Sequence, residues 1–448
     1  MKRYVSSIAL SAVLSSVLFA APGDSADIEQ LRQEMQALKQ MVLELKKSND
    51  SLRSSGTYTE SEAVAPSSFL VQEVAEIKVS LEGNAKSGFQ LAGYASFDWT
   101  DAQGENNDFS GVKFAPIFHY QYGDIFQFEG ELEITTDDAG ETNTVLEYAA
   151  GTLFLNDYMG LQVGKFMSPL GQFVQNIHPS WINKMPTAPL GFSHDGAAPT
   201  SNVGAALRGG LPKLGDLRSN YVFFVANAPS FEASHGAVGV VAEGKTTSNG
   251  VGKTFGGRFA VNPLGGMEIG VSLATGEVSE EIGGTTFKFD PSTGGSTSEP
   301  GTIAPASNAS AGIIARDYDV FGVDAMYSFN SIDLKAEYIQ QKVGSNSNST
   351  LDGGTWKAWY AQASYQFTNI RLEPVLRYSN YISPSQSNFI ETDERFAEQE
   401  SSQWAIGLNY LFANNIIAKV AYEYNQDENN NQPNFDDNSV SAQLAFGF

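Results

Sequence analysis

The sequence predicts an all-β transmembrane fold: a sixteen-stranded antiparallel β-barrel preceded by a short α-helical coiled coil. Three observations carry that expectation. From about residue 88 apolar and polar residues alternate with a period of two, in sixteen successive segments of roughly 9 to 15 residues. The links between segments alternate in length, mostly long after odd-numbered segments and tight after even-numbered ones. Ahead of the first segment, residues 28–52 repeat instead with a heptad period.

At the N-terminus, MKRYVSSIALSAVLSSVLFAAPG sets Lys2 and Arg3 before an apolar core from Val5 to Ala20 and then small residues. This is the layout of a secretory signal peptide over 1–23, and it implies export. The apolar core is short for a membrane anchor, and no later stretch stays apolar for the 18 residues of a spanning helix. Residues 24–53 follow as a coiled coil. Its seam is Ile28, Leu31, Met35, Leu38, Val42 and Leu45, continued by Asn49 and Leu52. At about 1.5 Å per residue it is a rod of about 37 Å. Ile and Val at a with Leu at d lean towards two strands, and Asn49 at an a position suits a register device. A single amphipathic helix lying on the barrel is the alternative. Residues 54–87 are a linker opening on the polar SSGTYTESEAVAPS. Within it, 68–83 fits both a helix (Leu70, Val74, Ile77, Leu81) and a strand (Val71, Ala75, Ile77, Val79, Leu81).

The barrel occupies 88–448. Its first segment, GFQLAGYASFDWT, puts Phe89, Leu91, Gly93, Ala95, Phe97 and Trp99 on one side and Gln90, Ala92, Tyr94, Ser96 and Asp98 on the other. The pattern recurs at 109–121, 125–136, 143–155, 159–167, 202–212, 217–228, 251–261, 266–276, 316–329, 331–343, 354–368, 370–382, 400–412, 415–425 and 438–448. Tight links such as Tyr122-Gly123-Asp124, Asn330 and Thr368-Asn369 contrast with long ones at 168–201, 229–250 and 277–315. An even strand count with short turns on one side and long loops on the other is how bacterial outer-membrane barrels are built. The coiled coil then lies in the periplasm. Aromatic residues crowd the segment ends (Trp99, Tyr120, Tyr122, Phe329, Trp356, Phe367, Phe412, Tyr424), as an interfacial girdle requires. Pro116 and Pro374 fall inside segments and predict bulges. Lys165 is on the outward phase and so belongs near the rim or at a subunit contact.

If the apolar phase faces lipid, the other phase lines the lumen. It carries Lys113, Arg208, Arg258, Lys335, Arg371, Arg377 and Lys419 against Asp98, Glu129, Glu131, Glu133, Glu268, Asp324, Asp333, Glu337, Glu373 and Glu423. Sixteen strands leave room for an aqueous channel, and charges of both signs suit hydrated solutes. The 168–201 link is rich in proline and apolar residues (Trp181, Ile182, Met185, Leu190, Phe192), which predicts that it folds inward and narrows the pore. Trp181, Lys184 and Asp195 are its candidate constriction residues. A lid packed on the outer rim or on a neighbouring subunit is the alternative. Residues 277–315 have the opposite, polar composition of an exposed link.

The bulk composition excludes other classes. Acids outnumber bases 51 to 27 for a formal charge of −24, which argues against nucleic acid as a partner. There is no cysteine, so neither a disulfide framework nor a thiolate metal site is available. The four histidines are His119, His178, His194 and His235. Ser193, His194 and Asp195 hold the letters of a triad, but sequence neighbours rarely take that geometry and nothing marks a nucleophile. No enzyme activity, cofactor or metal is expected.

The closing SVSAQLAFGF resembles the assembly signal of outer-membrane porins, with Leu444, Phe446 and the terminal Phe448 as its residues. The segment LQVGKFMSPLGQF, residues 161–173, together with AALRGGLP, resembles the phosphate-selective porin group. The N-terminal coiled coil resembles that of a related set of trimeric diffusion channels. The resemblance implies a homotrimer in the outer membrane, bounded by lipid and lipopolysaccharide and inserted by the barrel-assembly machinery. It also implies an inward third loop and passive passage of small hydrophilic solutes or ions. In phosphate-selective members an arginine ladder captures anions, and Arg208, Arg258, Arg371 and Arg377 are the residues here that could form one. An anion-selective pore is therefore the alternative function, and a structural or adhesive surface barrel a more distant one.

Overall fold

The structure, a computed structural model, describes residues 87–103, 108–136, 140–193, 196–215, 217–234, 237–282, 287–289, 296–300, 312–347, 353–384, 399–428 and 438–448. The signal peptide, the linker as far as residue 86, Asp195 and the coiled-coil seam with Ile28, Leu31, Met35, Leu38, Val42 and Leu45 lie outside the described residues.

The strands are β1 (Gly88–Ala102), β2 (Asp108–Tyr122), β3 (Phe126–Thr136), β4 (Thr142–Asn156), β5 (Met159–Met167), β6 (Ser201–Leu214), β7 (Leu217–Asn227), β8 (Ser230–Ser234), β9 (Ala237–Ala242) and β10 (Lys253–Asn262). They continue as β11 (Met267–Ile282), β12 (Phe287–Phe289), β13 (Ser296–Pro300), β14 (Gly312–Phe329), β15 (Ile332–Val343), β16 (Gly354–Tyr365), β17 (Leu372–Ser383), β18 (Gln399–Ala413), β19 (Ile416–Glu428) and β20 (Ser439–Gly447). Sixteen of these, all but β8, β9, β12 and β13, pair antiparallel with their neighbours. β1 closes the ring against β20, from Tyr94↔Gly447 to Ala102↔Ser439. Closure gives every barrel strand two partners, so no row of backbone amides is left unpaired in hydrocarbon.

Alternation decides which way each side chain points. Along β18, Trp404, Ile406, Leu408 and Tyr410 are exposed while Ala405 and Asn409 are buried. The same outward apolar phase recurs in Phe89, Leu91 and Phe97 of β1 and in Phe223 and Val225 of β7. The inward phase is polar, with Ser96, Gln162, Gln362, Asn409 and Gln443 all buried. A barrel surrounded by lipid has this inside-out distribution.

Several expectations change. β11 and β14 run past the expected ends, because Glu277–Ile282 pairs with Gly312–Asp317. β8 and β9 form a hairpin inside the 229–250 link, joined to the barrel by the parallel bridge Ser230↔Ser279. β12 and β13 form a separate two-stranded sheet. Strands beyond the hydrocarbon need no greasy face, so the period-two signal fades there. Trp356, expected in the girdle, points inward and is buried.

The expected bulges at Pro116 and Pro374 are absent. Register runs unbroken through Gly93↔Pro116 and through Pro374↔Leu408. On their other sides the ladders offer no partner, since β2–β3 skips from Phe114 to Ile117 and β16–β17 stops at Ser364↔Val375. Each proline thus sits where its missing N–H is not needed. The nearby register shift falls instead between β3 and β4, at Glu131/Leu132. Lys165 pairs with Val203 in the ladder, and its ammonium donates to the Leu146 carbonyl at 2.6 Å.

The seam between β20 and β1 is built around one glycine. Gly93 and Phe448 exchange backbone hydrogen bonds at 2.9 and 3.0 Å. A Cβ on Gly93 would strike the Phe448 ring and the Ala115 carbonyl. That ring stacks on Phe114 (5.9 Å between centroids), and Phe446 stacks on Phe97 (6.5 Å). Leu444 and Phe448 are exposed on the lipid side of the same strand.

Candidate functional site

The interior is organised by the 168–200 segment between β5 and β6. Its base is pinched by Ser168 N–H donating to the Thr200 carbonyl at 2.9 Å. Gly171, at φ +98, brings its N–H to Ser272 Oγ, and a Cβ there would land on the Glu337 carboxylate. Glu337 accepts from Phe173 N–H at 2.9 Å. A one-turn π-helix then spans Phe173–Ile177, closed by His178 N–H on the Phe173 carbonyl. π-turns are rare and tend to mark functional positions.

Past this turn the segment is fastened side chain by side chain to the inward phase of β15–β20. Lys419 donates to the carbonyls of Ser180 and Asn183 and, at 2.7 Å, to Gln443 Oε1. Lys184 reaches Glu373, Ser364 Oγ at 3.0 Å and Asp333 at 3.3 Å. Arg377 donates to the Thr187 carbonyl at 2.8 Å and to Thr187 Oγ1 at 2.9 Å, with Glu423 3.6 Å away. Thr187 itself donates to Glu423, and Asn409 to the Lys184 carbonyl. Every one of these barrel partners belongs to the buried phase of its strand, so the segment lies within the barrel. Met185 is buried with Val375, Ala405 and Ala421. Phe173, Phe192 and Tyr360 meet edge to face at 5.1 to 5.9 Å, a geometry that adds to their area burial.

The β8–β9 hairpin extends this packing. Phe231 sits edge-on to Trp356, and the Arg316 guanidinium lies 4.6 Å from its ring centre. Arg316 also donates to Glu280 at 2.7 Å.

The opposite wall borders open space on both sides of the π-turn. A cavity of about 240 Å³ on the loop side is lined by Asp98, Lys113, Glu133, Glu147, Phe173, Val174, His178 and Gln443, among others. A larger one of about 690 Å³ on the tight-turn side is lined by Glu129, Asp157, Gln172, Gln175, Asn176, Arg208, Arg258 and Glu268, among others. Phe173 and Val174 face the first cavity, Gln175 and Asn176 the second. The turn stands between them.

The residues expected to line the pore fall into three groups. Facing the cavities are Lys113, paired with Glu133 at 2.7 Å; Glu129, 2.9 Å from the His119 ring; and Arg208, in a long 3.4 Å bond to Gln162. Engaged in the wall are Glu131, which accepts from Tyr94 at 2.8 Å; Arg258, which grips both Asp324 oxygens and Glu268; Lys335, on Asp333 at 2.6 Å; and Glu337, Arg377 and Lys419, which hold the loop. Arg371 is a correction: it occupies the tight turn before β17 at φ +59, exposed, and donates to the Phe412 carbonyl. The inward phase continued past the strand end in sequence but not in space. Of the loop residues, Lys184 is an anchor, and Trp181 packs against Gly447, where a Cβ would meet its ring. Sequence reasoning missed Gln172, Thr187, Ser272, Asn409 and Arg316. All but the loop residues among them stood on the inward phase, and the signal that they were anchors was their company rather than their type.

Residues 221–448 match the family described as phosphate-selective porin O and P. No curated protein matches the chain. Among solved structures, the outer-membrane channel DcaP of Acinetobacter baumannii is similar at a TM-score of 0.51 and 11% identity, covering 82% of this chain and 98% of its own. OmpF of Salmonella typhi, solved with daunomycin, gives 0.51 at 14% identity over 82% and 99%. A loop L8 deletion mutant of OmpT from Vibrio cholerae gives 0.51 at 10% identity over 81% and 100%. At these identities the likeness is one of fold.

Proposed function

The chain belongs to the phosphate-selective porin O and P family and is an outer-membrane channel; from that premise we propose that small hydrophilic solutes or ions diffuse passively through it, past a constriction made by the 168–201 loop. The observation that carries this reading is the position of the π-turn Phe173–Ile177 between the two cavities, backed by a segment tied to the inward face of β15–β20. A solute crossing from one cavity to the other passes between this turn and the β1–β4 wall. Refolded protein in planar bilayers is expected to give stepwise conductance; none at all overturns the channel reading. Asn176→Trp, which adds bulk at an exposed position of the turn, is expected to lower the step size, and an unchanged step would put the loop outside the path.

The same proposal includes a homotrimer, which the resemblance to outer-membrane porins implies and which cross-linking in detergent tests, where a monomer would overturn it. It also includes outer-membrane lipid and lipopolysaccharide against the exposed apolar belt, and the barrel-assembly machinery acting on β20. No catalytic role is proposed. The second reading, an anion- or phosphate-selective pore, has the family's description in its favour and requires basic side chains facing the path.

A further inference from the structure

We propose that the passage prefers cations, an inference that rests on the channel reading above and gives it a solute class. Of the basic residues that an anion path would need, all but Arg208, which lines the tight-turn cavity, are engaged elsewhere. Arg377 is 0% and Lys419 1% exposed, both holding the loop. Arg258 is 5% exposed inside the carboxylates of Asp324 and Glu268, and Lys184 is tied to Glu373 and Asp333. A solute could meet Arg377 or Lys419 only after the loop had left. The same contacts hold the loop and remove these charges from the path.

The open side has the opposite balance. In the loop-side cavity, Asp98, Glu133 and Glu147 line the wall together with Lys113, the one lysine or arginine among the described residues lining it. Lys113 is held by Glu133 at 2.7 Å, so that pair presents no net positive charge. Asp98 accepts from Gln443 at 2.6 Å and from Ser96 at 3.1 Å, both neutral donors. Among its described residues the loop adds Phe173, Val174, Ser180 and Asn183 to this lining but no lysine or arginine. In the tight-turn cavity Glu129, Asp157 and Glu268 stand against Arg208 and the already engaged Arg258. Taking the histidines as neutral, both cavities carry more carboxylates than cations among the described residues that line them. Walls of one sign focus the field in a narrow lumen and raise the local concentration of the opposite ion.

The test is the reversal potential of the full-length protein in planar bilayers across a potassium chloride gradient. The expected result is a cation-to-anion permeability ratio of roughly three or more at about 0.1 M salt, where the screening length is about 10 Å, falling towards one at about 1 M, where it is about 3 Å. Asp98→Asn combined with Glu133→Gln is expected to bring the low-salt ratio close to one while conductance persists. A reversal potential of anionic sign overturns the inference and leaves the channel reading standing. Cation preference that survives unchanged in the double variant overturns its assignment to this wall. Absence of conductance overturns the channel reading and this inference together.

Discussion

The two sides of the barrel are made from the same alternating strand and filled in opposite ways. From β10 to β18 the inward phase includes Val278, Tyr318, Val320, Ile339, Val343, Trp356, Ala358 and Tyr360, and the loop and the β8–β9 hairpin bury Phe173, Phe192 and Phe231 against them. From β1 to β4 the inward phase is mainly polar or charged, as in Ser96, Asp98, Lys113, Glu129 and Thr152, and it borders the two cavities, while Phe166, Ala206, Phe224 and Ala226 of β5–β7 join the core. The outward phase is apolar on both sides, because lipid surrounds both. The difference lies wholly in the inward phase. One side is a folded core enclosed by a barrel, and the other is a wall left for water.

That contrast predicts that equal chemistry has unequal consequences. The largest effect is expected on the packed side. Arg377→Met removes one partner of a buried ionic cluster and leaves Glu423 and the Thr187 carbonyl without their cation. Breaking such a pair costs about 3–5 kcal/mol. Urea unfolding in detergent should show the loss, and single-channel steps should grow as the loop loosens. Unchanged stability would mean that this side is not a core. Phe192→Ala, which opens the three-ring cluster, is expected to cost about 3 kcal/mol by the same assay. Gly93→Ala, at the seam, forces a Cβ against the Phe448 ring and the Ala115 carbonyl. Overpacking of that kind costs about 1–3 kcal/mol. Its signature is a lower yield of closed barrel on heat-modifiability gels with unaltered conductance in the fraction that closes.

The sequence was legible wherever lipid wrote the pattern. The sixteen barrel strands follow from apolar residues at every second position, since each strand must meet hydrocarbon. Where lipid was absent the pattern weakened. Glu280 and Ile314 pair in register beyond the expected strand ends, and β8 and β9 were hidden in a long link. The candidate site was legible by phase but not by role. Arg377, Lys419 and Lys113 look alike as inward-facing bases, and only the path of the 168–200 segment separates anchors from lining. Arg371 shows the limit of phase itself, which carries no mark of where a strand ends. The prolines show the converse: Pro116 and Pro374 are harmless because their neighbours leave those amide positions unpaired, a fact that resides in the adjacent strands.

The smallest stability effect belongs to the open side and discriminates best between the two. Lys113→Met breaks an ion pair of the same type as those on the packed side, with a 2.7 Å contact to Glu133. Its side chains are 33% and 19% exposed, however, so water already screens both charges. Pairs of that kind contribute about 1 kcal/mol or less. The unfolding midpoint is therefore expected to stay close to that of the parent, while Glu133 loses its counter-charge and the cation preference at low salt rises. Stability and selectivity would thus move independently on this wall and together at Arg377. If Lys113→Met destabilises the barrel as much as Arg377→Met, the loop-side cavity is part of the core, and the division between a packed side and a conducting side fails.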